Sequence, residues 1–208
     1  SKKKKMTLIK SISGIRGTIG GIPGENLTPI DIVESVSAYG FWLKEQYKKK
    51  NLKVVIGRDA RLSGKMVENL CIGTLQSLGI DIINLGLSTT PTVEFAVPKE
   101  KAHGGIILTA SHNPKQWNAL KLLNDRGEFI SAKDGEKLLE IIRNNKIYFN
   151  DVDELGQVTA INNYMDKHIE HIVQLNGVDI NKIKKANFKI VIDAVNSTGG
   201  IALPKLLE

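Results

Sequence analysis

Apolar positions along this chain alternate between helical and strand-like spacing, and that alternation predicts its elements. Thr28-Pro29-Ile30-Asp31 is a strong helix start. A hydroxyl caps free N–H groups, proline stands where no donor is missed, and an acid follows three residues after the cap. The helix is predicted to reach about Lys48, with Val33, Val36, Leu43 and Tyr47 on its core-facing stripe. The β-branched run Val54-Val55-Ile56, ending at Gly57, then predicts a buried strand. Ser63 is expected to cap a second helix that presents Val67, Leu70, Cys71, Thr74 and Leu78 on one face and stops at Gly79.

Further strands are predicted at Ile80 to Leu85, Gly104 to Leu108 and Ala119 to Leu123, with a short helix between Pro91 and about Pro98. The third run, Gly104 to Leu108, is apolar on both faces and must be covered from both sides. Asn124 to Gly127 is predicted to turn the chain into a return strand at Phe129-Ile130, forming a hairpin at the sheet edge. Ser131 and Asp134 open a helix ending near Arg143. Strands alternating with helices imply right-handed crossovers, so the expected fold is a layered helix-sheet-helix α/β domain with a mainly parallel mixed sheet. Its binding loops lie at the strands' carboxyl ends.

The polar, glycine-containing stretch 144–159 is taken as the boundary. Residues 1–150 then form a first domain, and 151–208 a linker and the truncated start of a second, similar domain. In this second part Tyr164 to Leu175 reads as a helix and Phe188 to Ile192 as a strand. Asp193 to Gly200 reads as a turn into a helix beginning near Ile201. These pieces bury little surface alone, and the chain is expected to be the front portion of a longer protein.

A composition of 41% hydrophobic and 25% charged residues in 208 is that of a folding chain. The net charge of +7 does not indicate nucleic-acid binding, because Lys2, Lys3, Lys4, Lys5, Lys10 and Arg16 precede any acidic residue and leave only +1 for the rest. No zinc-finger spacing or aromatic RNA-binding signature accompanies them, so the lysine run reads as a solvated tail. No apolar stretch approaches the roughly 18 residues of a membrane span. The lone Cys71 cannot form an internal disulfide and is expected as a buried thiol, which suits a cytoplasmic setting.

The chemistry is concentrated in Thr109-Ala110-Ser111-His112-Asn113-Pro114, directly after a buried strand. Its residues are common turn formers. A serine hydrolase is excluded, since Ser111 and His112 are neighbours and no G-x-S-x-G elbow surrounds them. Gly57 to Lys65 spaces its glycines by six residues where a P-loop has four, and no G-x-G-x-x-G follows a strand, so kinase and dehydrogenase readings fall away.

Taken whole, the serine segment resembles the active-site serine loop of the α-D-phosphohexomutases. Ser13-Gly14-Ile15-Arg16-Gly17 is similar to that family's amino-terminal arginine motif and Gly57-Arg58-Asp59-Ala60-Arg61 to its second loop. Asn118 and Lys121 are similar to the residues that complete the serine motif, and Asp193 to Gly200 looks like the opening of the second domain. One departure is Ala119, where the family usually has glycine. If glycine there serves a positive φ, the path into the following strand should differ slightly.

The resemblance implies an intramolecular phosphotransferase interconverting hexose 1-phosphate and hexose 6-phosphate through phosphorylated Ser111 and a bisphosphorylated sugar. A phosphoserine of charge about −1.5 to −2 needs fixed cations nearby, and Arg16, Arg58 and Lys121 can supply them. Arg16 and Lys121 take roles in proton transfer or charge stabilisation; arginine hardly deprotonates, so Lys121 is the better general base. His112 orients the phosphate or bonds the sugar, and Arg58, Asn113 and Asn118 join the substrate-binding set. Arg58 and Asp59 equally suit a mutual pair that shapes their loop, and the glycines around Arg16 equally suit a flexible arm.

Family members hold magnesium through an aspartate-rich loop of the second domain. This chain ends before such a loop, so Ser111 through its phosphate is the one ligand expected from it, and the fragment alone is expected to be inactive. Phosphoglucosamine mutase is the rival activity, and a non-catalytic anion-binding or interaction module the rival class. His168 and His171 are expected on a solvated helix face.

Overall fold

The computed structural model describes residues 6–11, 14–48, 51–144 and 147–208; Lys2 to Lys5 and Ser13 lie outside them. Seven strands form a single sheet: β1 (Ile9–Ser11), β2 (Gly14–Thr18), β3 (Lys53–Arg58), β4 (Asp81–Leu87), β5 (Gly104–Leu108), β6 (Trp117–Leu123) and β7 (Val158–Ala160). Their order across the sheet is β1-β2-β6-β5-β3-β4-β7. The β3, β4, β5 and β7 strands run parallel, β6 pairs antiparallel with both β5 and β2, and β1 is antiparallel to β2. Five strands therefore point one way and two the other, a mainly parallel mixed sheet as expected.

The helices are α1 (Pro29–Tyr47), α2 (Gly64–Ser77), α3 (Thr90–Lys99), α4 (Ala132–Asn144), α5 (Tyr164–Val173), α6 (Ile180–Ala186) and α7 (Gly199–Leu207). The predicted box caps α1: Asp31 accepts from the Thr28 N–H at 3.1 Å and from its hydroxyl, and also holds the Gly24 N–H at 2.9 Å. Ser131 and Asp134 cap α4 in the same reciprocal way. None of the described helices is long and apolar enough to cross a membrane.

Alternation along β3 separates the two cores. Val54 and Ile56 join Val36, Tyr39 and Leu43 of α1, Val67, Cys71 and Leu75 of α2 and Leu138 of α4 on one face. Val55 points the other way, to Val93, Ala96 and Val97 of α3 and Tyr164 of α5. This is the expected three-layer arrangement. Val36 and Leu43 are fully buried as predicted, while Val33 and Tyr47 are half-buried; α1 is buried over most of its circumference because α2 and α4 flank it. Cys71 lies in this core, and burial pushes its thiol pKa up, so it is no nucleophile.

Several expectations change. The hairpin at Phe129-Ile130 is reduced to its turn and a single antiparallel bridge: Phe129 faces Leu123, Asn124 N–H donates to the Glu128 carbonyl at 2.8 Å and Ile130 N–H to the Leu122 carbonyl at 3.1 Å, but no regular strand follows. It lies beside the end of β6, while β2 pairs with β6 at residues 117–120, so the sheet's margin on that side is β1. Stretch 144–159 is more than a linker: Val152–Glu154 makes a 3-10 turn, and β7 extends the sheet beside β4. The predicted strand at Phe188 to Ile192 is irregular and exposed, since a strand persists only in a ladder and none of the described strands pairs with it. The α6 helix just before it was not anticipated.

The α5 histidines are half-buried rather than on a fully solvated face. Phe95 of α3 stacks on His168 at 4.8 Å and meets His171 at 4.9 Å, and Thr92 Oγ1 lies 3.1 Å from His168 Nδ1. Burial, with a smaller contribution from neighbouring His171, holds the His168 pKa below its ordinary value. Imidazolium is disfavoured in the fold, so between the folded pKa and the unfolded value near 6.5 the unfolded chain binds more protons. The contribution of this site is complete above pH 6.5 and is lost as pH falls through the lowered pKa.

Two measurements check this packing. Tyr39 is fully buried, and its hydroxyl donates to the carbonyls of Leu123 at 2.7 Å and Gly105 at 3.2 Å, tying α1 to β5 and β6. Tyr39→Phe should lower stability in urea unfolding by about 1–3 kcal/mol. The stability difference between pH 7.5 and pH 5.5 should shrink in His168→Gln relative to the unaltered chain.

Candidate active site

The serine loop leaves the carboxyl end of β5 and re-enters the sheet as β6, while the 59–63 loop leaves the adjacent carboxyl end of β3. Ser111 is exposed and adopts φ +50°, a left-handed conformation that costs a non-glycine residue about 1–2 kcal/mol. Its N–H is held by Thr109 Oγ1 at 3.2 Å, and Asn113 N–H closes a turn on Ala110 at 3.0 Å. Ser111, on this turn, lines a cleft of about 280 Å³.

Arg16, Lys121, His112 and Asn113 line the same cleft with Ser111. Strand register is the cause. In the β2–β6 pair Arg16 stands opposite Ala119, and Lys121 lies two residues further along β6, so both cations project from the same face. Alanine leaves room between them. Ala119 has no positive φ, so glycine is not needed there for the backbone.

The glycines around Arg16 are not a flexible arm. Gly14 has φ +113°, and a Cβ there would sit on the Leu120 carbonyl; one at Gly17 would press on Leu27 at 3.1 Å. Both are close-approach positions that let β2 lie against β6 and its neighbours. Arg16 is exposed and has no ion-pair partner among the described residues. Lys121 lies 5.8 Å above the Phe129 ring. Burial raises the pKa of nearby Glu94 above its ordinary value, with Lys121 opposing that rise.

Two sequence-selected residues stand elsewhere. Arg58 turns away from the cleft, with Nε 3.5 Å from the buried Glu68 carboxylate and Nη1 donating to the Asp59 carbonyl at 3.2 Å. Asn118 is fully buried, donates to Ser63 Oγ at 2.9 Å and accepts the Ala119 N–H at 2.8 Å. Ser63 consequently makes no side-chain cap for α2, as its hydroxyl serves the Asn118 bridge. Sequence reading missed Arg61. Its guanidinium donates to the carbonyls of Ser111, Asn113, Pro114 and Trp117 at 2.7, 2.8, 3.0 and 3.1 Å. The available signal was an acid two residues before an arginine at a strand end, a spacing that lets Asp59 hold both the Arg61 N–H and its side chain.

The described residues contain no group of three or more His, Cys, Asp or Glu placed to hold a metal ion, and Asp59 is committed to Arg61. They do not themselves form a magnesium site.

The model of phosphoglucomutase/phosphomannomutase alpha/beta/alpha domain I matches residues 8–149, more than half of the chain. The chain belongs to this family. It is 36% identical over 198 residues to a phosphoglucomutase/phosphomannomutase of Thermococcus kodakarensis, covering 92% of the chain and 42% of that relative. It is 37% identical over 207 residues to a probable phosphoglucosamine mutase of Methanosphaera stadtmanae, covering 96% and 43%. The chain thus spans about two-fifths of the length of these curated relatives. A crystal structure of a family protein from Burkholderia thailandensis shares the fold with TM-score 0.73 at 23% identity, over 96% of this chain and 41% of that one.

Asn118 acts through the backbone, so Asn118→Ala should lower stability by about 1–3 kcal/mol in urea unfolding by stranding Ser63 and the start of β6.

Proposed function

We propose that this chain is the serine-bearing part of a phosphohexomutase that exchanges phosphate between the 1- and 6-positions of a hexose. One observation carries the reading: an exposed serine hydroxyl on a strained turn shares a cleft with Arg16, Lys121 and His112. Phosphoryl transfer depends on placement and charge stabilisation, which such a cleft supplies.

In the forward half-reaction phosphoserine 111 gives its phosphoryl group to a hydroxyl of a hexose monophosphate. The Ser111 Oγ–P bond breaks as the bond from phosphorus to the sugar oxygen forms. The sugar hydroxyl loses the proton that Ser111 Oγ gains, and Lys121 is the relay between the two oxygens. Arg16 stays charged and faces the phosphoryl oxygens throughout. His112 and Asn113, on the loop itself, orient the phosphate or sugar. Return of the other phosphate to Ser111 completes the exchange.

The position of Arg58 against Glu68 suits loop shaping, and direct phosphate contact by Arg58 or Asn118 does not form part of this mechanism. Magnesium belongs to the longer protein, with the Ser111 phosphate as its ligand from this chain. The division into domains at residue 150, a cytoplasmic setting and the absence of nucleic-acid or membrane partners belong to the same proposal. Relatives named phosphoglucosamine mutase favour a second substrate, an amino-sugar phosphate at the same site.

Incubating the longer protein with magnesium and glucose 1,6-bisphosphate should load one phosphatase-removable phosphoryl group, seen by intact mass, and Ser111→Ala should take up none. A longer protein that stays unmodified, or an alanine variant loaded equally, would sink this assignment and leave an anion-binding module.

A further inference from the structure

Four backbone carbonyls of the serine loop, those of Ser111, Asn113, Pro114 and Trp117, converge within 3.1 Å of the terminal nitrogens of Arg61. These residues span the loop from the serine to the first residue of β6. We infer that Arg61 is a positioning residue: its guanidinium sets the path of the serine loop and thereby presents Ser111 Oγ to the phosphoryl group. This inference rests on the proposed role of Ser111.

The loop offers its carbonyls to one point and so needs a donor with several fixed N–H vectors. Guanidinium has five in a planar fork; an ammonium has three on a flexible stem. The fork is itself held. Asp59 Oδ2 lies 3.2 Å from Arg61 Nε, Asp59 Oδ1 accepts the Arg61 N–H at 3.0 Å, and Asp59 N–H donates to Leu108 at the end of β5 at 3.0 Å. Arg61 Nε lacks an aligned hydrogen bond, so Asp59 acts on it as an ion pair. The chain of contacts runs from the ends of β3 and β5, through Asp59 and Arg61, to the carbonyl of the serine.

That carbonyl matters because Ser111 is left-handed. Its short N–H contact to Thr109 holds one side of the residue, and Arg61 holds the other through the 2.7 Å bond to its C=O. With both fixed, the direction of Cα–Cβ is set for a residue that lines the cleft with Arg16 and Lys121. Arg61 therefore has its effect without touching the sugar.

The test compares the 208-residue chain with Arg61→Lys, Arg61→Gly and Asp59→Asn. Amide hydrogen exchange by NMR is followed at residues 110–117, with the amides of β3 and β5 as internal reference. Phosphoryl uptake from glucose 1,6-bisphosphate is followed by intact mass in the longer protein carrying the same substitutions. Arg61→Lys, which keeps the charge, should speed exchange at 110–117 at least about tenfold, leave β3 and β5 unchanged, and slow loading by a similar factor. Ethylguanidinium should restore both to Arg61→Gly, and Asp59→Asn should fall between. Unchanged exchange at 110–117 in Arg61→Lys overturns the inference. So does acceleration spread equally through β3 and β5, which would mark a residue that only stabilises the fold. If the unaltered longer protein takes up no phosphoryl group, the role of Ser111 fails, while the exchange measurements still decide whether Arg61 holds the loop.

Discussion

The antiparallel pairing of β2 with β6 is the constraint on which the site depends. The two segments are about a hundred residues apart in the chain, and each brings one cation, Arg16 and Lys121, to a common sheet face. Side chains alternate along a strand, so a slip of one residue in this register would send Arg16 into the α1 core, where Ile15 now packs. The register is guarded sterically. Gly14 takes a backbone conformation that side chains resist and touches the β6 backbone, and Gly17 lies against Leu27. Leu120, opposite Ile15, anchors the other face in the same core.

Around that pair the protein builds a rigid frame and one raised residue. The β5 strand is buried along its whole length, and the loop that follows is stitched to the end of β3 by Asp59 and Arg61 rather than to solvent. A phosphoryl carrier has to be accessible and still, and these requirements conflict for a surface loop, which is ordinarily mobile. Carbonyls collected by a single guanidinium reconcile them, since the donor sits behind the loop and leaves the Ser111 side chain exposed. The Arg58–Glu68 contact beneath the 59–63 loop extends the same support inward.

Electrostatics complete the arrangement. Arg16 is exposed and without an ion pair among the described residues, so its charge is available to an incoming anion. Arg61 and Arg58 stand nearby in sequence logic yet are committed to carbonyls and carboxylates. Cations that bind an anion and cations that hold backbone are thus segregated, although all three arginines fall within motifs of the same appearance.

Much of this was legible in the residues alone. Local rules, acting within a few positions, determined α1 and α4 through their capping boxes, the buried strands β3 and β5 through β-branched and apolar runs, and the turn that carries Ser111. Motif resemblance brought Arg16, Lys121 and His112 to that serine before any geometry was known. Tertiary structure decided the rest, because the deciding forces were long-range. Pairing by β2 put β1 rather than Phe129-Ile130 at the sheet's margin, β7 joined a sheet edge invisible to local pattern, and Phe95 drew His168 and His171 partly out of solvent. The role of Arg61 belonged to the same class. A guanidinium's partners here are backbone carbonyls some fifty residues away, and a carbonyl, being common to every residue, leaves no mark in a sequence.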